Sequence, residues 1–197
     1  MKAFKTILAV VITGFIGSNV IASGNLKVNM TPGSKNLAEV EIFNVVMSTF
    51  EIDVKNEYGE IIFYKETVAP ATNYKRSYDF SRLEDGNYYF TVRIDKETTE
   101  TKFNIKRGQV NVVDEKKMVD PVFVMDNKHL KLSYLNFNEE NTRLIVYDRN
   151  RNSLYEKDLD SNFVTQHGLD FSKAPRGTYE VVLSSGNSVH SYDVFID

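Results

Sequence analysis

The feature that most constrains this fold is a duplication. Residues 79 to 88 read Asp79-Phe80-Ser81, four residues, Gly86, one residue and Tyr88; residues 170 to 179 read Asp170-Phe171-Ser172, four residues, Gly177, one residue and Tyr179. Five identities in ten positions, at an offset of 91, mark one module used twice. Downstream the register holds without a gap, with Phe90 matching Val181, Val92 matching Leu183, Phe103 matching Val194 and Ile105 matching Ile196. Upstream, at an offset of 92, Ile62-Phe63 matches Leu154-Tyr155 and Lys65 matches Lys157. Any fold for one copy must serve for both.

Inside each copy the apolar period is two, the pattern of strands with one buried face. Tyr88, Phe90, Val92 and Ile94 alternate with Asn87, Thr91, Arg93 and Asp95, and Phe50, Ile52 and Val54 with Glu51, Asp53 and Lys55. Ala38, Val40 and Ile42, and in the second copy Leu130, Leu132 and Tyr134, alternate in the same way. Turn residues such as Asn56 to Gly59, Glu84 to Gly86 and Ser185 to Asn187 punctuate these runs. The expected fold is all-β: two tandem immunoglobulin-like antiparallel sandwiches of six or seven strands each. The copies are expected over residues 23–113 and 118–197, with the charge run 114–117 as linker. Gly86 and Tyr88, with Gly177 and Tyr179, are expected to form tyrosine corners, each ring in the core and each hydroxyl bonded to nearby backbone.

The N-terminus carries a different message. Lys2 and Lys5 precede a nearly unbroken apolar run from Ile7 to Ile16, followed by Gly17-Ser18-Asn19 and the small-residue end at Ala22. This is the layout of a secretory signal peptide over residues 1–22, and the apolar run is too short to cross a bilayer. Lys and Arg total 24 against 27 acidic residues, and loss of Lys2 and Lys5 leaves 22 against 27. Such a balance argues against an electrostatic nucleic-acid binder. The sequence contains no Cys, so it forms no disulfide, holds no thiolate metal site and has no cysteine for lipid attachment. The expectation is an exported, soluble protein of the periplasm or extracellular space.

An Asp-Phe-Ser start, a spacer, Gly-x-Tyr and alternating strand residues make each copy resemble the immunoglobulin-like modules of small exported bacterial proteins. The stretch Val54 to Glu60 ahead of that segment makes the resemblance closest to the C-terminal sorting domains of the type IX secretion pathway. It implies a sandwich fold and an exported context. Two departures from that family's pattern are the missing Tyr-Pro-Asn-Pro-like opening and the acidic last strand, Tyr192 to Asp197.

Residues with catalytic potential are present without catalytic spacing. His129, His167 and His190 show no ligand spacing, and Asp158-x-Asp160-x-Asn162 opens like a calcium loop but places Phe163 and Leu169 where Gly and a bidentate Glu belong. Gly-x-Ser-x-Gly, Gly-rich phosphate loops and His-Glu-x-x-His are absent. No enzyme, metal or cofactor is therefore expected, and a metal-dependent enzyme built on those histidines stands only as a remote alternative. The expected role is non-catalytic surface binding, in adhesion, envelope assembly or as an accessory subunit, to a protein or glycan partner. Ile61 to Tyr64 is apolar on both strand faces, so one face must meet something besides its own core. Tyr58, Ile62, Tyr64, Tyr74 and Tyr89 are the candidate binding residues. A glycan-binding module is the alternative, weakened by the absence of Trp.

Overall fold

The structure, a computed structural model, describes residues 8–10 and 26–197. The expected signal peptide therefore lies outside the described residues except for a short strand, β1 (Leu8–Val10). Two compact units divide the chain, Ala22–Val119 and Asp120–Asp197, the second also taking in the N-terminal segment.

The first unit contains eight strands: β2 (Lys27–Pro32), β3 (Leu37–Ser48), β4 (Glu51–Asn56), β5 (Ile61–Glu66), β6 (Ala71–Asp79), β7 (Gly86–Ile94), β8 (Glu97–Lys106) and β9 (Gln109–Val119). They form an antiparallel sandwich, β2-β3-β6 against β5-β4-β7-β8-β9. The alternating residues meet between the sheets: Val40, Ile42, Phe50, Ile52, Phe90, Val92 and Phe103 are fully buried. Thr91 departs from the alternation. It belongs to the outward row yet is buried, because β7 is a central strand and Asp53 and Glu100 flank it in the pairing.

The second unit repeats the plan with β10 (Val122–Asp126), β11 (His129–Leu135), β12 (Thr142–Asp148), β13 (Ser153–Leu159), β14 (Val164–Asp170), β15 (Gly177–Ser185) and β16 (Ser188–Ile196). Its sheets are β1-β14-β11-β10 and β13-β12-β15-β16. Pairing carries the duplication residue by residue. Tyr88 lies opposite Phe103 as Tyr179 lies opposite Val194, and Val54 opposite Phe63 as Val146 opposite Tyr155. Even the irregularity in the β4–β5 ladder after Val54 recurs after Val146.

The hairpin after that bulge is built by one side chain in each copy. Asn56 Oδ1 accepts from the Tyr58 and Glu60 amides at 3.0 Å each, and Asp148 Oδ1 accepts from Asn150 and Asn152 at 2.8 Å each. The third residue of each turn takes a left-handed backbone, Gly59 at φ 81° and Arg151 at φ 64°. Asp79 and Asp170 do a related job, accepting from the amides of Ser81 (2.9 Å) and Ser172 (2.8 Å) so that Phe80 and Phe171 turn into the core. Those bonds hold both carboxyls below the usual carboxylate range.

The charge run 114–117, expected as a linker, is instead part of β9. Asp114, Glu115, Lys116 and Lys117 pair with Lys102, Thr101, Glu100 and Thr99 of β8. The reason is position. An edge strand whose end is solvated on both faces has no apolar row to betray it, and its charges serve to guard the edge. The run thereby lengthens β9, which begins at Gln109, and the first unit has eight strands where six or seven are expected.

Candidate functional site

The tyrosines of the Gly-x-Tyr segments are buried, with their hydroxyls returned to the chain. Tyr88 Oη donates to the Glu84 carbonyl at 2.8 Å and Tyr179 Oη to the Pro175 carbonyl at 2.7 Å, each acceptor four residues upstream. Their rings lie against Phe103 (5.5 Å between centroids) and Phe171 (5.6 Å). Burial raises both phenols above their ordinary range. Gly86 and Gly177 begin the two strands; Gly177 has φ 156° and open space where a Cβ would stand.

The candidate binding residues separate into two groups and one outlier. Tyr64, opposite Asp53, and Tyr89, opposite Lys55, share the outward face of the five-stranded sheet with β4 between them, and Lys102 lies over the Tyr89 ring at 5.8 Å. Ile62 and Tyr74 line a groove of about 520 Å³ between β5 and β6, the edge strands of the two sheets. Tyr58 stands apart at the hairpin tip, 83% exposed. All four residues of Ile61 to Tyr64 are exposed.

Pairing explains the groove. Tyr74, Arg76 and Tyr78 of β6 lie opposite Ile42, Val40 and Ala38, so they continue the inward row of the three-stranded sheet at its open edge. Across from them Phe63 and Lys65 lie opposite Val54 and Ile52, on the inward row of the other sheet. Phe63 meets Tyr78 edge-on at 5.8 Å, and Tyr78 stacks on Phe80 and meets Phe90 edge-on. The hydroxyls of Tyr74 and Tyr78 are 3.3 Å apart. Burial first, and that bond second, push the Tyr78 phenol upward. Lys65 Nζ and the Arg76 guanidinium lie 5.6 and 5.8 Å from the centre of the Tyr74 ring. The result is an aromatic groove with two cations facing into it.

Arg76 and Tyr78 were not among the candidates from sequence. Every residue of their strand is exposed or half-buried, so it shows no buried alternation, and only the spacing of Tyr74 and Tyr78 points to a shared row.

The second unit has a cleft of about 370 Å³ at the corresponding place, lined by residues of β13 and β14 that include Lys157, Thr165 and His167. His167 Nε2 lies 3.0 Å from Tyr155 Oη, and burial, with Lys157 nearby, lowers its pKa. His129 is 3.5 Å from Asp170 and His190 3.5 Å from Asp120. The three histidines thus stand on three different strands with separate partners. Among the described residues no three His, Asp or Glu side chains converge to hold a metal ion, and no helix is long and apolar enough to cross a membrane.

Residues 22–106 match the family model of the secretion system C-terminal sorting domain. No curated protein matches the sequence significantly. Among solved structures, the FN1-FN3 domains of chicken CNTN1 share 12% identity at TM-score 0.29, covering 87% of this chain and 66% of that one. A two-domain fibronectin type III segment of chicken tenascin shares 13% at TM-score 0.30, covering 87% and 99%. The BSP domain of a biofilm associated protein shares 13% at TM-score 0.28, covering 84% of this chain and 29% of that one.

Proposed function

We propose that this is an exported, non-catalytic protein whose two sandwiches act by surface contact with a partner, in adhesion, envelope assembly or as an accessory subunit. The match of residues 22–106 to a secretion-sorting module carries the reading. The apolar run with its two preceding lysines at residues 1–22 supports it, as the leader of an exported chain. Binding is favoured over catalysis because the first unit presents a groove of aromatic rings and cations at its sheet edges. Lys65, Arg76 and the two tyrosine hydroxyls face one another across rings, and the one carboxylate of the lining, Asp79, is engaged by the Ser81 amide.

The test is a titration of the immobilised chain with extracts of cell envelope and culture medium, followed by mass spectrometry of what is retained. The expected result is one partner that saturates, and that is lost when Ile62→Asp and Tyr64→Ala are introduced together. Turnover of a substrate that depends on a single side chain of this protein would contradict the reading.

A further inference from the structure

We propose that the open edge of β6 is a strand-acceptor site, which takes an extended peptide from a partner protein carrying an inward-facing carboxylate between apolar residues. This rests on the surface-contact reading above and gives it a location and a chemistry.

The duplication supplies the first observation. In the second unit the counterpart of β6 is β14, and its outer side is not empty: Leu8–Val10 pairs antiparallel with Gly168–Asp170. By the offset of 91, those three residues correspond to Ser77, Tyr78 and Asp79 of β6. In the first unit β6 pairs with β3 on one side and ends the sheet on the other. While the leader is attached, the same module therefore seats an apolar strand on this edge in one copy and leaves the edge open in the other; in the chain from Ser23 onward β1 is absent and both edges are open. Ser77, Tyr78 and Asp79 also line the groove. A strand added there would gain main-chain hydrogen bonds from β6 and place alternate side chains over Phe63, Ile62 and Val54.

Charge supplies the second observation. Arg76 lies on the inward row, opposite Val40, between the half-buried rings of Tyr74 and Tyr78. Its guanidinium lies over the Tyr74 ring, with no carboxylate in ion-pair distance among the described residues. Lys65 faces the same ring from β5. A wholly apolar strand laid over this row would strip water from a guanidinium without pairing it, which is costly. An Asp or Glu opposite Arg76 would pair with it inside the groove, where the low dielectric strengthens the bond. Arg76 thus rejects the commonest aggregation-prone strands and admits one kind. Asp79 lies on the other row of β6, opposite Leu37, and its carboxylate accepts from the Ser81 amide.

The experiment uses the chain from Ser23 onward and three fluorescent peptides of nine residues, identical except at the central inward position, which is Glu, Lys or Val between inward valines. Anisotropy should show saturable binding of the Glu peptide, at least tenfold weaker binding of the Lys and Val peptides, and loss of binding when proline replaces residues flanking the centre. Arg76→Glu should reverse the order, so that the Lys peptide binds best, which a merely unfolded variant would not do. Hydrogen exchange should show new protection over 74–79 when the Glu peptide is bound. Four outcomes would overturn the proposal: no saturable binding, equal binding of the three peptides, protection over 164–170 in place of 74–79, or self-association that protects 74–79 without peptide. If an envelope partner is captured while these peptides fail, the strand-acceptor site falls and the surface-contact reading stands.

Discussion

Replacing Tyr179 with Phe removes one oxygen and tests how the second sandwich is pinned. The ring is 6% exposed, and its packing 5.6 Å from Phe171 survives the change, so little cavity is created. What is lost is a 2.7 Å bond to the Pro175 carbonyl, in the turn that joins β14 to β15. A neutral hydrogen bond contributes about 0.5–1.5 kcal/mol net, and a carbonyl left dry without a partner costs about 1–3 kcal/mol. This bond is only partly buried, so water reaches the carbonyl in part, and the expected loss is about 1–2 kcal/mol. For a unit of this size each kcal/mol lowers the thermal midpoint by about 4–8 °C. Tyr88→Phe, which loses the 2.8 Å bond to Glu84, should cost a similar amount in the other unit. Hydrogen-exchange mass spectrometry in graded urea separates the two. Peptides from β12, β15 and β16 should open earlier in Tyr179→Phe, and peptides from β4, β7 and β8 in Tyr88→Phe. Tyr58→Phe, at an 83% exposed site, should stay within about 0.5 kcal/mol of the unmodified protein. If Tyr88→Phe and Tyr179→Phe are as neutral as Tyr58→Phe, the hydroxyl bonds do not anchor these turns and the reasoning fails.

Two further perturbations probe the duplicated module. Gly59→Ala should cost about 1 kcal/mol in urea unfolding, because φ is 81° and no atom lies within 4 Å of the added Cβ, so the loss is purely backbone strain; a neutral result would mean the turn relaxes freely. Acid should separate the units, since the three histidines all belong to the second. Burial lowers the folded pKa of His167 and of His190 below the unfolded value of about 6.5, so their neutral forms stabilise the fold above that pH, and this contribution is lost as pH falls below it. Exchange measured at pH 7 and pH 5 should show the second unit weakening and the first nearly unchanged; equal weakening of both would contradict the assignment.

How much of this was legible in the sequence depended on burial. Strands with one dry face, such as β7 with Tyr88, Phe90, Val92 and Ile94, announce themselves, because core burial imposes period two on the residues themselves. The duplication then transferred the same reading to β15. Where a strand is wet on both faces the signal vanishes, so Asp114 to Lys117 looked like a linker and β6 like nothing in particular. The apolar run Ile61 to Tyr64 did point to an unusual edge. Its division into an inward group with Tyr74 and an outward group with Tyr89 required the pairing partners, and a ladder irregularity after Val54 shifts that register beyond what periodicity reveals. Arg76 was illegible for the same reason: its inward placement follows from Val40 across the sheet, 36 residues earlier in the chain.

The central claim, that the chain is an exported module, is tested most directly by finding where it goes and where it begins. The protein would be produced with a C-terminal tag in a bacterium that has a type IX secretion pathway, and recovered from cytoplasm, envelope and medium for N-terminal sequencing and intact mass. The account predicts recovery from envelope or medium with Ser23 as the first residue. Recovery from the cytoplasm with Met1 still attached would contradict it.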